Sequence, residues 1–323
     1  MGYVPNVAGS VIAEGLGKRY GELWALRDVD LNVPRGSVLG LLGHNGAGKT
    51  TTLRILTTLT IPTTGRASVA GFDVVSEAAR VRENIGLTAQ QATVDGLLTA
   101  RANLEMIARL YHMPRAVAKA RASELLERLG IADAADRLVK TFSGGMRRRL
   151  DLAASIMASP PVLFLDEPTT GLDPQSRNDL WTLLRELVAD GATLVLTTQY
   201  LEEADLVADD IVLLDRGRVT AHGTPAELKA LIGGARIVIT LADAADLARA
   251  ESATLPYTDG AAAIDTEAVQ LSAPLRGDVR LIEIVRALDG AGIDAVDVHR
   301  REPTLDDVFL TLTGAPPAAD PGA

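Results

Sequence analysis

Apolar and polar residues change their spacing along this chain, and each spacing predicts an element. Val29, Leu31 and Val33 alternate with Asp30 and Asn32, the period of a half-buried strand. Residues 10–42 as a whole read as short strands joined by turns, with Pro34-Arg35-Gly36 as one turn signal. Ser37–Leu42 is then a short apolar run, as a fully buried strand shows, and a helix is expected over Lys49–Leu59. Further strands are expected at Gly65–Phe72 and Ile85–Ala89. From about 99 to 158 the spacing becomes helical. Leu104, Ile107, Ala108 and Tyr111 share one face, as do Leu125, Leu126 and Leu129, and Gly130 stands where a helix stops. Strand, helix and strand follow at Val162–Leu165, Arg177–Ala189 and Thr193–Leu196. Ile211–Asp215 and Arg218–Ala221 read as a hairpin around Arg216-Gly217. This alternation predicts an α/β fold with a largely parallel core sheet.

After about 232, at Gly233-Gly234, the pattern restarts. Strands are expected at Arg236–Leu241, Ala268–Leu271 and Ala295–Val298. Helices are expected at Val279–Leu288 and Thr304–Thr313, the second capped by Thr304. The expected organisation is a large domain over 1–232, with a helical subdomain at about 91–158, and a small α+β domain over 233–313. Residues 314–323 are Pro, Ala, Gly and Asp, too poor in hydrophobes to order themselves.

Composition narrows the function classes. With 323 residues, 47% of them hydrophobic, the chain can bury a sizeable core. Its net charge of −10 argues against nucleic acid as a partner, whose phosphates demand basic surface. The same charge is repelled by anionic lipid, so any membrane attachment is expected to run through a protein partner. No cysteine is present, which removes disulfides, thiolate metal sites and thiol catalysis and fits a reducing compartment. Four histidines without a clustered pair argue against a zinc enzyme. The longest uncharged run, Leu152–Leu165, is fourteen residues broken by Pro160-Pro161, short of the roughly 20 a spanning helix needs. The first residues lack the basic start and apolar stretch of a signal peptide.

Gly43-His44-Asn45-Gly46-Ala47-Gly48-Lys49-Thr50 fits G-x-x-x-x-G-K-[ST], between a predicted strand and a predicted helix. Glycines at 43, 46 and 48 let backbone N–H groups converge on a phosphate, and the helix N-terminus adds a positive field. Lys49 is the candidate to bridge β- and γ-phosphates, and Thr50 to ligate Mg²⁺. The expected ATP-binding stretch is Gly43–Thr51, including Asn45, Ala47 and Thr51. The apolar run Val162-Leu163-Phe164-Leu165 ends in Asp166 and Glu167. That pattern places two carboxylates at the carboxyl edge of a parallel sheet, where ligands bind. Asp166 is the candidate to hold Mg²⁺, and Glu167 to orient and activate a water.

Ser143-Gly144-Gly145 opens another predicted helix two dozen residues before Asp166. A hydroxyl and free N–H groups at a helix start make an anion site. Two phosphate-binding loops for one nucleotide suggest a sandwich of two chains. Over roughly residues 10–230 the sequence resembles the ABC ATPase family. The resemblance implies a P-loop ABC ATPase domain with an antiparallel β subdomain and a helical subdomain, and a Ser143–Gly145 loop reaching ATP on the opposite subunit. It implies that Tyr20 stacks on adenine, that Gln90 (or the adjacent Gln91) joins the metal site to a membrane partner, and that Gly171-Leu172-Asp173 lets the two subunits sense each other. Met146 stands where most of the family has Gln, and Gln199 where most have His. Gln199 can donate an N–H to a γ-phosphate but carries no titrating proton.

Four stretches narrow the resemblance to the ATPase subunits of daunorubicin-resistance-type drug exporters. They are Ser143–Ala154, Leu163–Pro174, Thr197–Asp205 and Glu302–Leu310. That implies Mg-ATP hydrolysis by a pair of these chains, with Glu167, Lys49, Gln199 and Gln90 as catalytic groups. The pair would sit on integral-membrane permease subunits at the cytoplasmic face of the membrane. Two other readings are weighed beside it. One is the same engine exporting lipid, polysaccharide or peptide. The other is a soluble ABC ATPase acting on ribosomes or DNA, which the single module and negative charge disfavour.

Overall fold

The computed structural model describes residues 10–88, 94–232, 234–260 and 262–313. The chain forms two compact units that divide at Pro225 and Ala226, a few residues before the restart of the pattern at 232.

The first unit is built on two sheets. In one, β1 (Val11–Tyr20), β2 (Leu23–Val33), β4 (Thr64–Val69) and β5 (Phe72–Asp73) pair antiparallel in the order β2-β1-β4-β5. The strand expected over Gly65–Phe72 is therefore two strands. Ala70 and Gly71 take positive φ, 52° and 86°, and turn the chain between them. The second sheet has the order β10-β9-β3-β8-β7-β6, from β3 (Val38–Leu42), β6 (Ile85–Thr88), β7 (Val162–Asp166), β8 (Thr193–Thr198), β9 (Asp210–Asp215) and β10 (Arg218–Gly223). All neighbours in it run parallel except the β9–β10 hairpin.

A parallel sheet covered on both faces reads as a continuous apolar run, and β7 shows why. Val162 and Phe164 face a core shared with β1, β2 and helix α1 (Lys49–Leu56). Leu163 and Leu165 face the opposite core. That core holds α3 (Ala100–Leu110), α4 (Arg115–Arg128), α5 (Gly144–Ser155) and α6 (Pro174–Ala189). The helical segment thus shares a core with the sheet. Helix α1 ends at Leu56, three residues before the expected Leu59, and Thr58 lies at φ 66°. Helix α6 begins at Pro174 rather than Arg177, because Asp173 accepts the N–H of Ser176 at 2.9 Å and proline suits the first turn. Two short helices carried too little periodicity to be expected, α2 (Ala78–Glu83) and α7 (Leu201–Val207). Among the described residues no helix is long and apolar enough to cross a membrane.

The second unit contains α8 (Pro225–Ala230) from its second residue on, α9 (Leu247–Thr254), α10 (Leu281–Gly290), α11 (Leu305–Thr313) and an antiparallel sheet. The sheet runs β12-β13-β11-β14, from β11 (Arg236–Leu241), β12 (Ala263–Asp265), β13 (Gln270–Pro274) and β14 (Ala295–Arg301). Ile237, Ile239, Leu271, Ile284 and Leu288 are among its core residues. The strand expected at Ala268–Leu271 starts at Gln270, because Val269 takes φ 52° and leaves extended geometry. Thr304 caps α11 as its hydroxyl accepts the N–H of Asp307 at 3.2 Å.

Candidate active site

Four parallel strands, β3, β8, β7 and β6, lie side by side in nearly even register, with Leu42 opposite Thr198, Asp166 opposite Thr197 and Thr88 opposite Leu165. Their carboxyl ends therefore open on one edge. That edge receives the glycine-rich loop from β3, Gln199 from β8, and Asp166 and Glu167 from β7. Segments distant in sequence converge there because the sheet is parallel. Gln90 and Gln91, expected just beyond β6, lie outside the described residues.

The loop after β3 is folded around close backbone contacts. Gly43 sits at φ 153°, and a Cβ there would lie 2.3 Å from the carbonyl oxygen of Leu214, so only glycine fits. Gly217, in the β9–β10 turn, donates its N–H to the Ala47 carbonyl at 2.9 Å and accepts from the N–H of Arg27 at 2.7 Å. The hairpin expected around Arg216-Gly217 thus seats the phosphate loop, a role with no motif to announce it. His44 is anchored by its ring, Nε2 lying 2.8 Å from Asp215 Oδ1.

Lys49 is only 5% exposed and folds back over its own loop. Its ammonium donates to the carbonyls of Gly43 at 2.6 Å and His44 at 3.3 Å. Burial pushes its pKa below the ordinary lysine value, while the negative charges of Glu167 and Asp166 pull it back up. A cleft of about 140 Å³ is lined by Ala25, His44, Asn45, Gly46, Gly48, Lys49, Thr50, Thr51 and Glu167. The structure thus brings most of the expected phosphate-binding residues together with the expected catalytic carboxylate.

Asp166 is buried and accepts a 2.5 Å hydrogen bond from the Thr197 hydroxyl. The same hydroxyl oxygen accepts from the N–H of Glu167 at 3.1 Å. Glu167 itself sits at φ 47°, a conformation a non-glycine residue holds only where its surroundings over-determine it. Arg148, from α5, supplies part of that constraint. Its guanidinium donates to the carbonyls of Pro168 at 2.8 Å, Asp166 at 3.0 Å and Glu167 at 2.9 Å. Burial lowers the Arg148 pKa, against the raising effect of Asp151, Asp166 and Glu167. Neither Thr197 nor Arg148 stood out in the sequence, since one threonine of three in a strand and one arginine among three carry no distinguishing spacing.

A buried carboxylate, Glu203, ties the next segments together. It accepts from the hydroxyls of Thr169 at 2.8 Å and Thr198 at 3.0 Å, and pairs with Arg177 at 3.5 Å. Gln199, between Thr198 and Tyr200, is half-buried.

Mg²⁺ favours oxygen ligands and often takes one or two carboxylates plus substrate phosphates. The Asp166 carboxylate and the Thr50 hydroxyl offer such a donor set. Among the described residues no group of three or more His, Cys, Asp or Glu could hold a metal ion.

Ser143, Gly144 and Gly145 do not line the cleft. Ser143 caps α5, its hydroxyl accepting the N–H of Met146 at 3.2 Å. The two glycines pack toward Gly171 and Ser176 instead, and Ser143 and Gly144 face solvent. Tyr20, at the end of β1, is 47% exposed, with the Lys18 ammonium 5.1 Å from its ring centre.

Residues 26–170 match the family model for ABC transporters. The chain is 53% identical to daunorubicin resistance ATP-binding protein DrrA3 of Streptomyces coeruleorubidus, across 94% of this chain and 96% of that one. This chain belongs to the ABC transporter ATP-binding family. The ABC ATPase is also 47% identical to the daunorubicin/doxorubicin resistance ATP-binding protein DrrA of Streptomyces peucetius, over 95% of this chain and 93% of that protein. Its likeness to the Nod factor export ATP-binding protein I of Ralstonia nicotianae is 38%, over 93% and 92%. Among solved structures, an ATP-binding subunit of an ABC transporter aligns with a TM-score of 0.64 and 28% identity, over 69% of this chain and 92% of that one. A dimeric ATP-binding cassette in a post-hydrolysis state, bound to ADP and phosphate, aligns with a TM-score of 0.61 and 28% identity, over 66% of this ABC ATPase and 98% of that chain. The fold is that of an ABC ATPase cassette followed by a C-terminal α+β unit, and the family's activity is ATP hydrolysis.

Proposed function

We propose that this ABC ATPase works as a head-to-tail pair that energises export of a drug or other hydrophobic compound through separate integral-membrane permease subunits. It would do so as a peripheral protein at the cytoplasmic face of the membrane. One observation carries the pairing: the cleft joins the phosphate loop to Glu167, yet Ser143–Gly145, a second helix start suited to an anion, lies outside it with Ser143 and Gly144 exposed. Each chain then offers half of two sites. The solved dimeric cassettes of similar fold support that arrangement. The likeness to daunorubicin-resistance proteins along nearly the whole chain supports the cargo class.

In this reading the loop N–H groups of Gly43–Thr51 bind the phosphates and Tyr20 covers the adenine. Lys49 gives up its own carbonyl partners for the β- and γ-phosphate oxygens. Thr50, Asp166 and Gln90 would hold Mg²⁺, which supplies neutralisation of phosphate charge when bound. Closure brings Ser143, Gly144 and Gly145 of the partner chain onto the γ-phosphate. Glu167 orients the attacking water and takes up its proton, while Gln199 donates an N–H to the phosphate. Catalysis is positioning and electrostatic stabilisation. Hydrolysis removes the shared contacts and the pair opens.

Glu167→Gln preserves the shape of the site and removes the proton acceptor. In saturating Mg-ATP it is expected to accumulate as a dimer in size-exclusion chromatography with light scattering. A monomer under those conditions overturns the sandwich. Co-purification from gently solubilised membranes tests the partner, and recovery of a polytopic protein in near-equal amount is the supporting result. The likeness to Nod factor export proteins favours a second reading, the same engine with a non-drug cargo. The identity of the permease separates the two.

A further inference from the structure

We propose that Arg148 is a positioning residue that links the two half-sites of one chain, setting the Glu167 turn according to the state of the Ser143 loop. This rests on the paired-subunit reading above. Ser143 caps α5, and Arg148 projects from the same helix five residues on, about 7.5 Å along its axis. The helix is thus a short rigid lever, with a partner-facing anion loop at one end and a guanidinium against its own catalytic turn.

The grip of that guanidinium is specific. Three carbonyls in succession, Asp166, Glu167 and Pro168, accept from it at 2.8–3.0 Å. β7 ends at Asp166, so the carbonyls of Glu167 and Pro168 lie beyond the strand. The turn is therefore held from the side, at the point where Glu167 takes its positive φ. A planar guanidinium presents a fixed fork of donors, whereas a lysine ammonium is a point charge that cannot span the same acceptors. Its neighbour Arg149 has a different task, pairing with Asp179 of α6 at 2.7 Å. A shift of α5 as Ser143 engages the partner's nucleotide would be transmitted through Arg148 to the backbone of Glu167. Nucleotide engaged by one half-site then tunes the carboxylate that acts in the other.

The test uses the purified full-length chain and the variants Arg148→Ala and Arg148→Lys. Steady-state phosphate release gives kcat and KM, and a fluorescent ATP analogue gives affinity. Arg148→Ala is expected to lower kcat about 10- to 100-fold, the loss that follows misplacement of a catalytic group. KM and affinity should stay within about twofold of the parent values. Arg148→Lys should lose activity as well, because it keeps charge but not the fork. Millimolar guanidinium should restore part of the kcat of Arg148→Ala and none of that of Arg148→Lys. The double variant Arg148→Ala/Glu167→Gln should still dimerise in Mg-ATP. Unchanged kcat overturns the proposal, as does a loss matched by loss of ATP affinity or a loss that guanidinium does not relieve. If Arg148→Ala fails to fold, Arg148→Lys decides, and full activity in that variant overturns it. A parent chain that neither hydrolyses ATP nor dimerises removes the paired-subunit reading itself, a different result from a competent parent with indifferent variants.

Discussion

Lys49 shows how a side chain's surroundings prepare it for its task. Its ammonium is buried and rests on the Gly43 carbonyl, with two carboxylates near enough to offset part of the desolvation. A buried cation held by neutral carbonyls binds an arriving phosphate through stronger, charge-assisted hydrogen bonds. Lys49→Ala is expected to weaken ATP binding by about 1.5–3 kcal/mol, the net worth of hydrogen bonds to charged groups. A titration with a fluorescent nucleotide checks this as a rise in Kd of about 10- to 100-fold. Gln199 has a different profile. It lies half-buried at a strand end and has no titrating proton. Gln199→Ala is expected to lower kcat by more than it weakens ATP affinity, and an unchanged kcat removes the assigned role. Lys49 and Glu167 were legible in the sequence because their motifs are contiguous. Arg148 and Thr197 were not, because what distinguishes them is the turn they touch across the fold.

Helix ends and strand ends repeat that lesson one level up. The α6 start was readable after the fact, since Asp173-Pro174 is a cap followed by a first-turn proline. The break between β4 and β5 was only half readable, since Gly71 is a turn residue but Ala70, which shares the turn at positive φ, carries no such signal. The start of α11 supplies a pH test. Burial alone raises the Asp307 carboxyl, but the N–H and hydroxyl of Thr304 and the charge of Arg301 outweigh it, and the pKa lies below the ordinary carboxylate value. A carboxyl depressed in the folded state stabilises above its unfolded pKa of about 4, and that contribution is lost as pH falls through the lower folded value. Thermal melts at falling pH are expected to show stability dropping below about pH 4. Asp307→Asn should flatten that part of the profile while lowering stability near neutral pH. A variant with the parent's pH profile contradicts the assignment.

For the molecule as a whole, the proposed pairing turns on how little of a nucleotide the cleft of one chain would enclose. A cleft of about 140 Å³ is small beside the 300–1,000 Å³ of pockets that enclose a ligand. The exposed Ser143 loop offers the complementary surface. Ser143→Ala is expected to leave ATP binding to the monomer nearly unchanged and to weaken the ATP-dependent dimer of the Glu167→Gln protein. Light scattering over a range of protein concentrations reads that difference. Equal dimerisation with and without the Ser143 hydroxyl argues against its contact with the partner's nucleotide. In the proposed export cycle, the acidic chain is expected to reach the membrane through separate permease subunits rather than by direct contact with anionic lipid.

The candidate groups themselves were legible in the sequence. The glycines, Lys49 and Thr50 of the phosphate loop, the apolar run ending in Asp166 and Glu167, and the capped start at Ser143 each follow from near neighbours in the chain. Hydrogen bonding and backbone freedom act over that range. Tertiary structure decided which of these meet. It aligned β3, β8 and β7 so that the loop, Gln199 and Glu167 share an edge, seated the loop on Gly217, and placed Arg148 under the Glu167 turn. It also left Ser143 outside the cleft. Those outcomes depend on strand order and on packing between residues far apart in sequence, and apolar periodicity reports that a face is buried without saying against what.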